Sequence, residues 1–153
     1  MLAKDIMVRE VIKVGEDATV GEVIHLLAEN KIGGLPVVND RNEVLGIITD
    51  GDLMKHIRTH RPMVVDVLTD IFVFADMTQL EDKARELIDV PVRNIMTRRV
   101  ATAGEDTELG MVAALMSDRK IKKVPVVRDN VLVGLISRGD IVRALSQRFK
   151  EKH

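Results

Sequence analysis

The chain states one pattern twice. Ile6-Met7, Arg9, Val11, Gly15-Glu16-Asp17 and Pro36-Val37-Val38 return as Ile95-Met96, Arg98, Val100, Gly104-Glu105-Asp106 and Pro125-Val126-Val127, always 89 residues later, the distance from Met7 to Met96. After one deletion the copies run on at a spacing of 88, the distance from Gly46 to Gly134. This pairs Gly46-Ile47-Ile48-Thr49-Asp50-Gly51-Asp52 with Gly134-Leu135-Ile136-Ser137-Arg138-Gly139-Asp140. Repetition constrains architecture more strongly than local propensity, because it defines the unit that must be stacked or paired. A unit about half a chain long exceeds one turn of a solenoid. Two such units are expected to join as one pseudo-two-fold globule with equivalent clefts between them.

Each copy opens with a short extended piece, Val11 to Val14 or Val100 to Ala103. In the first copy Thr19 precedes Glu22 by the spacing of a capping box, and Val20, Val23, Ile24 and Leu27 share one helical face. The second copy repeats that face with Leu109, Val112, Ala113 and Met116, but Glu108 stands in place of the capping Thr. Two β-rich runs follow, Leu35 to Asn39 and Val44 to Thr49, separated by Asp40-Arg41-Asn42; the second copy turns on Asp129-Asn130. Helices from Gly51 to Arg58 and from Gly139 to Arg148 complete the units. The fold class is therefore α/β, with two β-α-β-β-α repeats at residues 1–60 and 92–150. The insert, residues 61–91, matches neither copy. Arg61-Pro62 breaks the chain, Val64 to Phe74 fits helix or strand, and Thr78 to Ile88 reads as a helix opened by Thr78 and Glu81.

Composition narrows the function. A 153-residue chain with 46% apolar residues can bury a core, whereas each repeat alone is marginal. A net charge of −1 gives no general attraction to nucleic acid or to anionic membrane, and 2% aromatics, all Phe, provide no stacking platform. The absence of cysteine excludes disulfides, thiolate nucleophiles and Cys-based metal sites. No apolar run is long enough to cross a bilayer and no signal sequence opens the chain, so a cytoplasmic protein is expected. Phosphate-binding, nucleophile-elbow and His-Glu-x-x-His motifs are all missing, and no enzyme is expected.

The order β-α-β-β-α, the hydrophobic-Pro-Val-Val strand and the Gly-x-x-Thr/Ser-x-x-Asp ending, present twice, resemble the cystathionine β-synthase (CBS) domain pair, or Bateman module. The resemblance spans Ala3 to Arg58 and Val92 to Arg148. It implies two clefts between the repeats for adenosine-containing ligands such as AMP, ADP, ATP or S-adenosylmethionine, with no other cofactor. It also implies a homodimer and a regulatory role toward a partner enzyme or transporter. The enzyme inosine-monophosphate dehydrogenase carries such a pair within a catalytic barrel, but this chain has neither the barrel's length nor a cysteine.

By the same resemblance one cleft joins Thr49 and Asp52 to Ala101, Thr102, Ala103, Lys122, Lys123, Val124 and Pro125. The other joins Ser137 and Asp140 to Ile12, Lys13, Val14, Gly34, Leu35 and Pro36. A carboxylate can accept from both ribose hydroxyls, a hydroxyl can donate to phosphate, and a helix N-terminus offers amides to an anion. Thr49-x-x-Asp52 and Ser137-x-x-Asp140 equally fit helix capping, and the two roles can coexist. Lys122 and Lys123, where the first copy has Gly33 and Gly34, predict a cleft that prefers phosphates; an ordinary exposed loop is the other reading. His56 and His60 have the spacing of a metal pair but no third ligand, so no metal is expected. His25 is expected to be peripheral or packed. Met7 and Met96 are expected at the cleft mouths. The alternative function is a structural or dimerisation module with empty clefts.

Overall fold

Both repeats form the expected elements, although their opening strands are shorter than the sequence suggests. The computed structural model describes residues 1–58, 63–67, 70–74 and 77–152, with backbone alone at 63–67, 70–74 and 77–78. The first repeat runs α1 (Ala3–Ile6), β1 (Val14–Gly15), α2 (Val20–Asn30), β2 (Gly34–Val38), β3 (Val44–Thr49) and α3 (Asp50–Ile57). The insert adds β4 (Met63–Val67), β5 (Asp70–Phe74) and α4 (Met77–Leu87). A 3-10 turn (Val92–Asn94) opens the second repeat, which continues through β6 (Ala103–Gly104), α5 (Leu109–Arg119), β7 (Lys123–Arg128), β8 (Val131–Ser137) and α6 (Arg138–Glu151).

Two three-stranded sheets, β1-β2-β3 and β6-β7-β8, each combine a parallel and an antiparallel pair. Both carry an irregularity at the same place, between Val37 and Val38 and between Val126 and Val127. The expected strands Val11 to Val14 and Val100 to Ala103 pair only through their last residue, joined by the glycine that follows. The ambiguous run in the insert is an antiparallel hairpin, with Met63 opposite Phe74, in keeping with its β-branched and aromatic residues. α4 starts at Met77, so Thr78 lies inside the helix rather than before it, and the helix rests against α3. His60, Arg61 and Pro62 lie outside the described residues.

Capping explains where the long helices begin and end. The Thr19 hydroxyl accepts from the Glu22 amide and the Glu22 carboxylate accepts from the Thr19 amide, while Glu108 before α5 makes no such side-chain bond. α2 and α5 then stop at equivalent lysines, Lys31 and Lys120, in left-handed backbone with φ of 52° and 54°. That conformation favours glycine, because a Cβ crowds the following carbonyl. Lys31→Gly is expected to stabilise the chain by up to about 1 kcal/mol, measured as a shifted urea midpoint at constant slope. An unchanged midpoint would show that the left-handed end carries no strain.

The two cores exchange their leading segments. Ala3 and Met7, from the start of the chain, are buried with Val112, Met116, Val126 and Ile136 of the second repeat. Val92, Ile95 and Met96 are buried with Val20, Val37, Ile48 and Leu53 of the first. The backbone bonds that dock them are pseudo-two-fold mates: Ala3 N–H donates to Thr107 O at 2.8 Å, and Val92 N–H to Ala18 O at 2.7 Å. Val8 bridges Leu135 and Thr97 bridges Ile47 in the same reciprocal manner. Met7 and Met96 are thus core residues, not cleft-mouth residues. Each packs where a glycine leaves room, Met7 on Gly134 and Met96 on Gly46. Neither repeat has a complete core without the other's leader, which fuses them into one unit.

Candidate functional site

α3 and α6 begin at matching ends of β3 and β8, and each start is a full capping box. Asp52 Oδ2 accepts from the Thr49 amide at 3.0 Å and from its hydroxyl at 3.1 Å, while the Asp52 amide donates back to Thr49 Oγ1 at 3.2 Å. Asp140 Oδ2 accepts from the Ser137 amide at 2.7 Å and hydroxyl at 2.8 Å, and the Asp140 amide donates to Ser137 Oγ at 3.2 Å. The capping reading of both motifs is therefore correct. It leaves one oxygen of each carboxylate for another partner. Asp52 Oδ1 accepts from the Thr97 hydroxyl at 3.1 Å, across the repeats; Asp140 Oδ1 accepts from Arg143, one turn along its own helix, at 2.5 Å. Val8 occupies the place of Thr97 in the other repeat and has no hydroxyl to offer.

Two clefts open beside these carboxylates. The first, of about 330 Å³, is lined from one side by Gly33, Ile47, Thr49, Asp50, Gly51, Asp52 and Lys55. From the second repeat it receives Thr97, Arg99, Val100, Ala101, Lys120, Ile121, Lys122 and Lys123. The second, of about 220 Å³, is lined by Val8, Glu10, Val11, Ile12, Ile32 and Gly34 of the first repeat and by Lys123, Leu135, Ser137, Asp140 and Arg143 of the second. A wider depression of about 570 Å³ is formed by Val142, Leu145, Ser146, Phe149 and Lys150 alone, so it is one face of α6 rather than a space between the repeats.

The CBS domain family matches residues 3–59 and 92–147, both repeats and little else. This chain is a CBS-domain pair. Uncharacterized protein MJ1426 of Methanocaldococcus jannaschii is 35% identical to it over 95% of this chain and 91% of that protein. The solved CBS domain pair of protein MJ0100, in complex with 5-methylthioadenosine and S-adenosyl-L-methionine, is 28% identical, with a TM-score of 0.72 over 97% of this chain and 98% of that one. CBSX2 of Arabidopsis thaliana, solved in complex with AMP, is 26% identical, with a TM-score of 0.73 over 95% and 96%.

The CBS pair gathers some of the sequence-derived candidates at its clefts and hides others. Thr49, Asp52, Ala101, Lys122 and Lys123 line the first cleft, and Ile12, Gly34, Ser137 and Asp140 line the second. Ala103, Val124 and Pro125, like Leu35 and Pro36, are buried in the sheets behind them. Thr102 is exposed outside the first cleft, and Val14 is half-buried in β1. Lys13 points elsewhere, donating from Nζ to Asn42 Oδ1 at 2.6 Å. Lys55, Thr97, Arg99 and Lys120 escaped the sequence reading. Only the exchange of leaders brings Thr97 and Arg99 to the first repeat, and no local pattern announces that. Lys55 was within reach of inspection, standing one turn after Asp52.

The clefts differ electrostatically. Lys55, Arg99, Lys120, Lys122 and Lys123 face Asp50 and Asp52 in the first, whereas Lys123 and Arg143 face Glu10 and Asp140 in the second. The start of α3 presents no free amides at residues 50–52. The Asp50 amide donates to Gly33 O, the Gly51 amide to Asp50 Oδ1 and the Asp52 amide to Thr49 Oγ1. The cleft side of that helix start therefore offers an anion no spare amide at these three positions, and the positive charge in the first cleft comes from its lysine and arginine side chains. His25 is exposed and pairs with Glu29 at 2.9 Å. His56 Nδ1 sits 3.0 Å from Asp52 O, and no metal-ligand cluster occurs among the described residues.

Burial works against the charged form of Asp140, but the Ser137 amide and hydroxyl and the Arg143 guanidinium outweigh it and hold the carboxyl below its ordinary range. A carboxyl with a lowered folded pKa stabilises the fold fully above the ordinary carboxylate range and loses that contribution as pH falls through the lowered value. Asp140→Asn is expected to flatten the fall in stability below about pH 5, followed by urea unfolding. An identical acid limb in the variant would contradict this.

Proposed function

We propose that the chain is a regulatory sensor in which adenosine-containing ligands bind the two inter-repeat clefts in the cytoplasm and alter the action of a partner enzyme or transporter, without catalysis by the chain itself. The observation that carries the proposal is the paired placement of Asp52 and Asp140. Each lines its own cleft with one oxygen anchored by the preceding hydroxyl residue. A carboxylate so anchored suits the two hydroxyls of a ribose. MJ0100 and CBSX2 were both solved with molecules that contain adenosine, which supports the same ligand class here. The test is a thermal-shift panel of AMP, ADP, ATP, S-adenosylmethionine, NAD and cyclic dinucleotides. Ligand at 100 times its dissociation constant is expected to add about 2.7 kcal/mol of stability. No shift with any of them would support the competing reading, a structural module, which Asp52 favours by satisfying both of its oxygens within the protein.

Self-association is the second part of the proposal. The apolar faces of α2 and α5 named in the sequence reading are spent inside the cores, with Val20, Val23, Leu27, Leu109, Val112 and Met116 all buried. Among the exposed apolar side chains of the described residues, three share one face of α6, with Val142 and Phe149 about two-thirds exposed and Leu145 nearly half. Such a patch marks an interaction surface, and a homodimer closes it. Light scattering is expected to give twice the chain mass for the wild type and the chain mass for Phe149→Asp. A wild-type monomer at all workable concentrations would remove this part. Among the described residues no helix is long and apolar enough to cross a membrane.

A further inference from the structure

Lys123 borders both clefts. It opens β7 directly opposite Ser137 and lines the wall of both. The carboxylates around it divide between the clefts, because Asp50 lines only the first and Asp140 only the second. Burial pushes the Lys123 ammonium down in pKa, and those two carboxylates, Asp140 then Asp50, pull it partly back. The pseudo-two-fold mate of Lys123 is Gly34, opposite Thr49 on β2, so the other repeat supplies no matching cation. A single half-buried ammonium stands between two sites.

We propose that the two clefts compete for Lys123, so that an anionic ligand in one weakens binding of an anionic ligand in the other. This rests on the reading of the clefts as adenosine-ligand sites. The ammonium has one charge and a compact head, and it cannot form its shortest charge-assisted bonds to phosphates on both sides at once. The first cleft has four further cations and is filled first; the second then binds without Lys123. Because coupling between sites is reciprocal, emptying the first cleft returns the lysine to the second. One charge-assisted hydrogen bond is worth enough for a change of roughly tenfold in affinity. A ligand lacking phosphate, such as adenosine, makes no demand on the lysine and binds the clefts independently.

Isoleucine methyl labelling reads each cleft separately, since Ile47 and Ile121 line only the first and Ile12 and Ile32 only the second. AMP titration of the wild-type chain is expected to saturate Ile47 and Ile121 before Ile12 and Ile32. Ala101→Trp fills the first cleft with a side chain, and Val100→Trp replaces it should that chain fail to fold. In the blocked chain the Ile12 and Ile32 signals are expected to saturate at about tenfold lower AMP than in the wild type. Adding Lys123→Gln is expected to abolish that gain, and adenosine is expected to show no gain at all. If AMP binds and blocking leaves the Ile12 and Ile32 midpoint unchanged, competition for Lys123 is refuted while the ligand reading stands. If AMP moves neither pair of methyls in the wild type, the ligand reading and the competition fail together.

Discussion

Asp52→Ala is expected to lose adenosine-ligand binding in the first cleft and to loosen the fold, whereas Asp140→Ala loses binding in the second cleft with a smaller structural cost. The binding loss follows from removing an ionised acceptor, worth about 1.5 to 3 kcal/mol, or roughly 10- to 150-fold in affinity. The structural difference follows from what each carboxylate already holds. Asp52 is only 8% exposed, caps α3 and accepts the Thr97 hydroxyl from the other repeat. The Asp140 side chain is 13% exposed, and its second oxygen meets only Arg143 on its own helix. Loss of a capping interaction alone costs about 0.5 to 2 kcal/mol, and Asp52 gives up a cross-repeat bond as well. Calorimetry with AMP and thermal unfolding of both variants separate the two effects. Intact affinity in both, in folded chains, would sink the assignment of these carboxylates to ribose.

Thr97→Val provides an internal control, since it copies the Val8 of the other repeat. It frees Asp52 Oδ1 without touching the cap, so a change in ligand affinity reports the Thr97 hydroxyl, through its bond to Asp52 or its own place in the cleft wall. The carboxylate has lone pairs to spare for both the hydroxyl and a ribose.

The second large effect is steric. A Cβ on Gly46 would stand 2.6 Å from Met96 Sδ and 2.8 Å from the Thr97 carbonyl oxygen, and a Cβ on Gly134 would stand 2.4 Å from Met7 Sδ. Neither glycine has a positive φ, so the demand is for space alone. Met7 and Met96 are buried and have little room to retreat. Gly46 is the stricter position, because the Thr97 carbonyl is backbone and already accepts from Ile47 N–H at 2.9 Å. Gly46→Ala is expected to cost about 1 to 3 kcal/mol, at roughly 2 to 4 °C of melting temperature for each. Gly134→Ala, which meets only side-chain atoms, is expected to cost less. A melting temperature unchanged in Gly46→Ala would mean that the leader of the second repeat is not docked on the first.

Periodicity and punctuation made the local structure legible. The repeat spacing located both units, the Thr19 and Glu22 box marked the start of α2, and Thr49-x-x-Asp52 and Ser137-x-x-Asp140 announced the caps of α3 and α6. These signals act within a few residues, so they are written into the order of the chain. The insert strands were harder to read, because Val64 to Phe74 is mostly apolar and its few polar residues, Asp66, Thr69 and Asp70, set no clear period.

What the chain order determined by itself was the two-fold unit, legible from the repeat, together with its helices, strands and the two acids at matching ends, which depend on neighbours a few residues apart. Tertiary structure alone decided how those units share parts. Docking each leader on the opposite repeat turned Met7 and Met96 into core and carried Thr97 and Arg99 to the first cleft, while Val124 and Pro125, like Leu35 and Pro36, are buried in the sheets behind the clefts. It also put Lys123 on the boundary between two sites that a repeat-by-repeat reading keeps apart. The reason is that burial is a property of the assembled pair: neither sheet can cover its apolar face with its own leader, and the exchange that completes both cores also shapes the clefts.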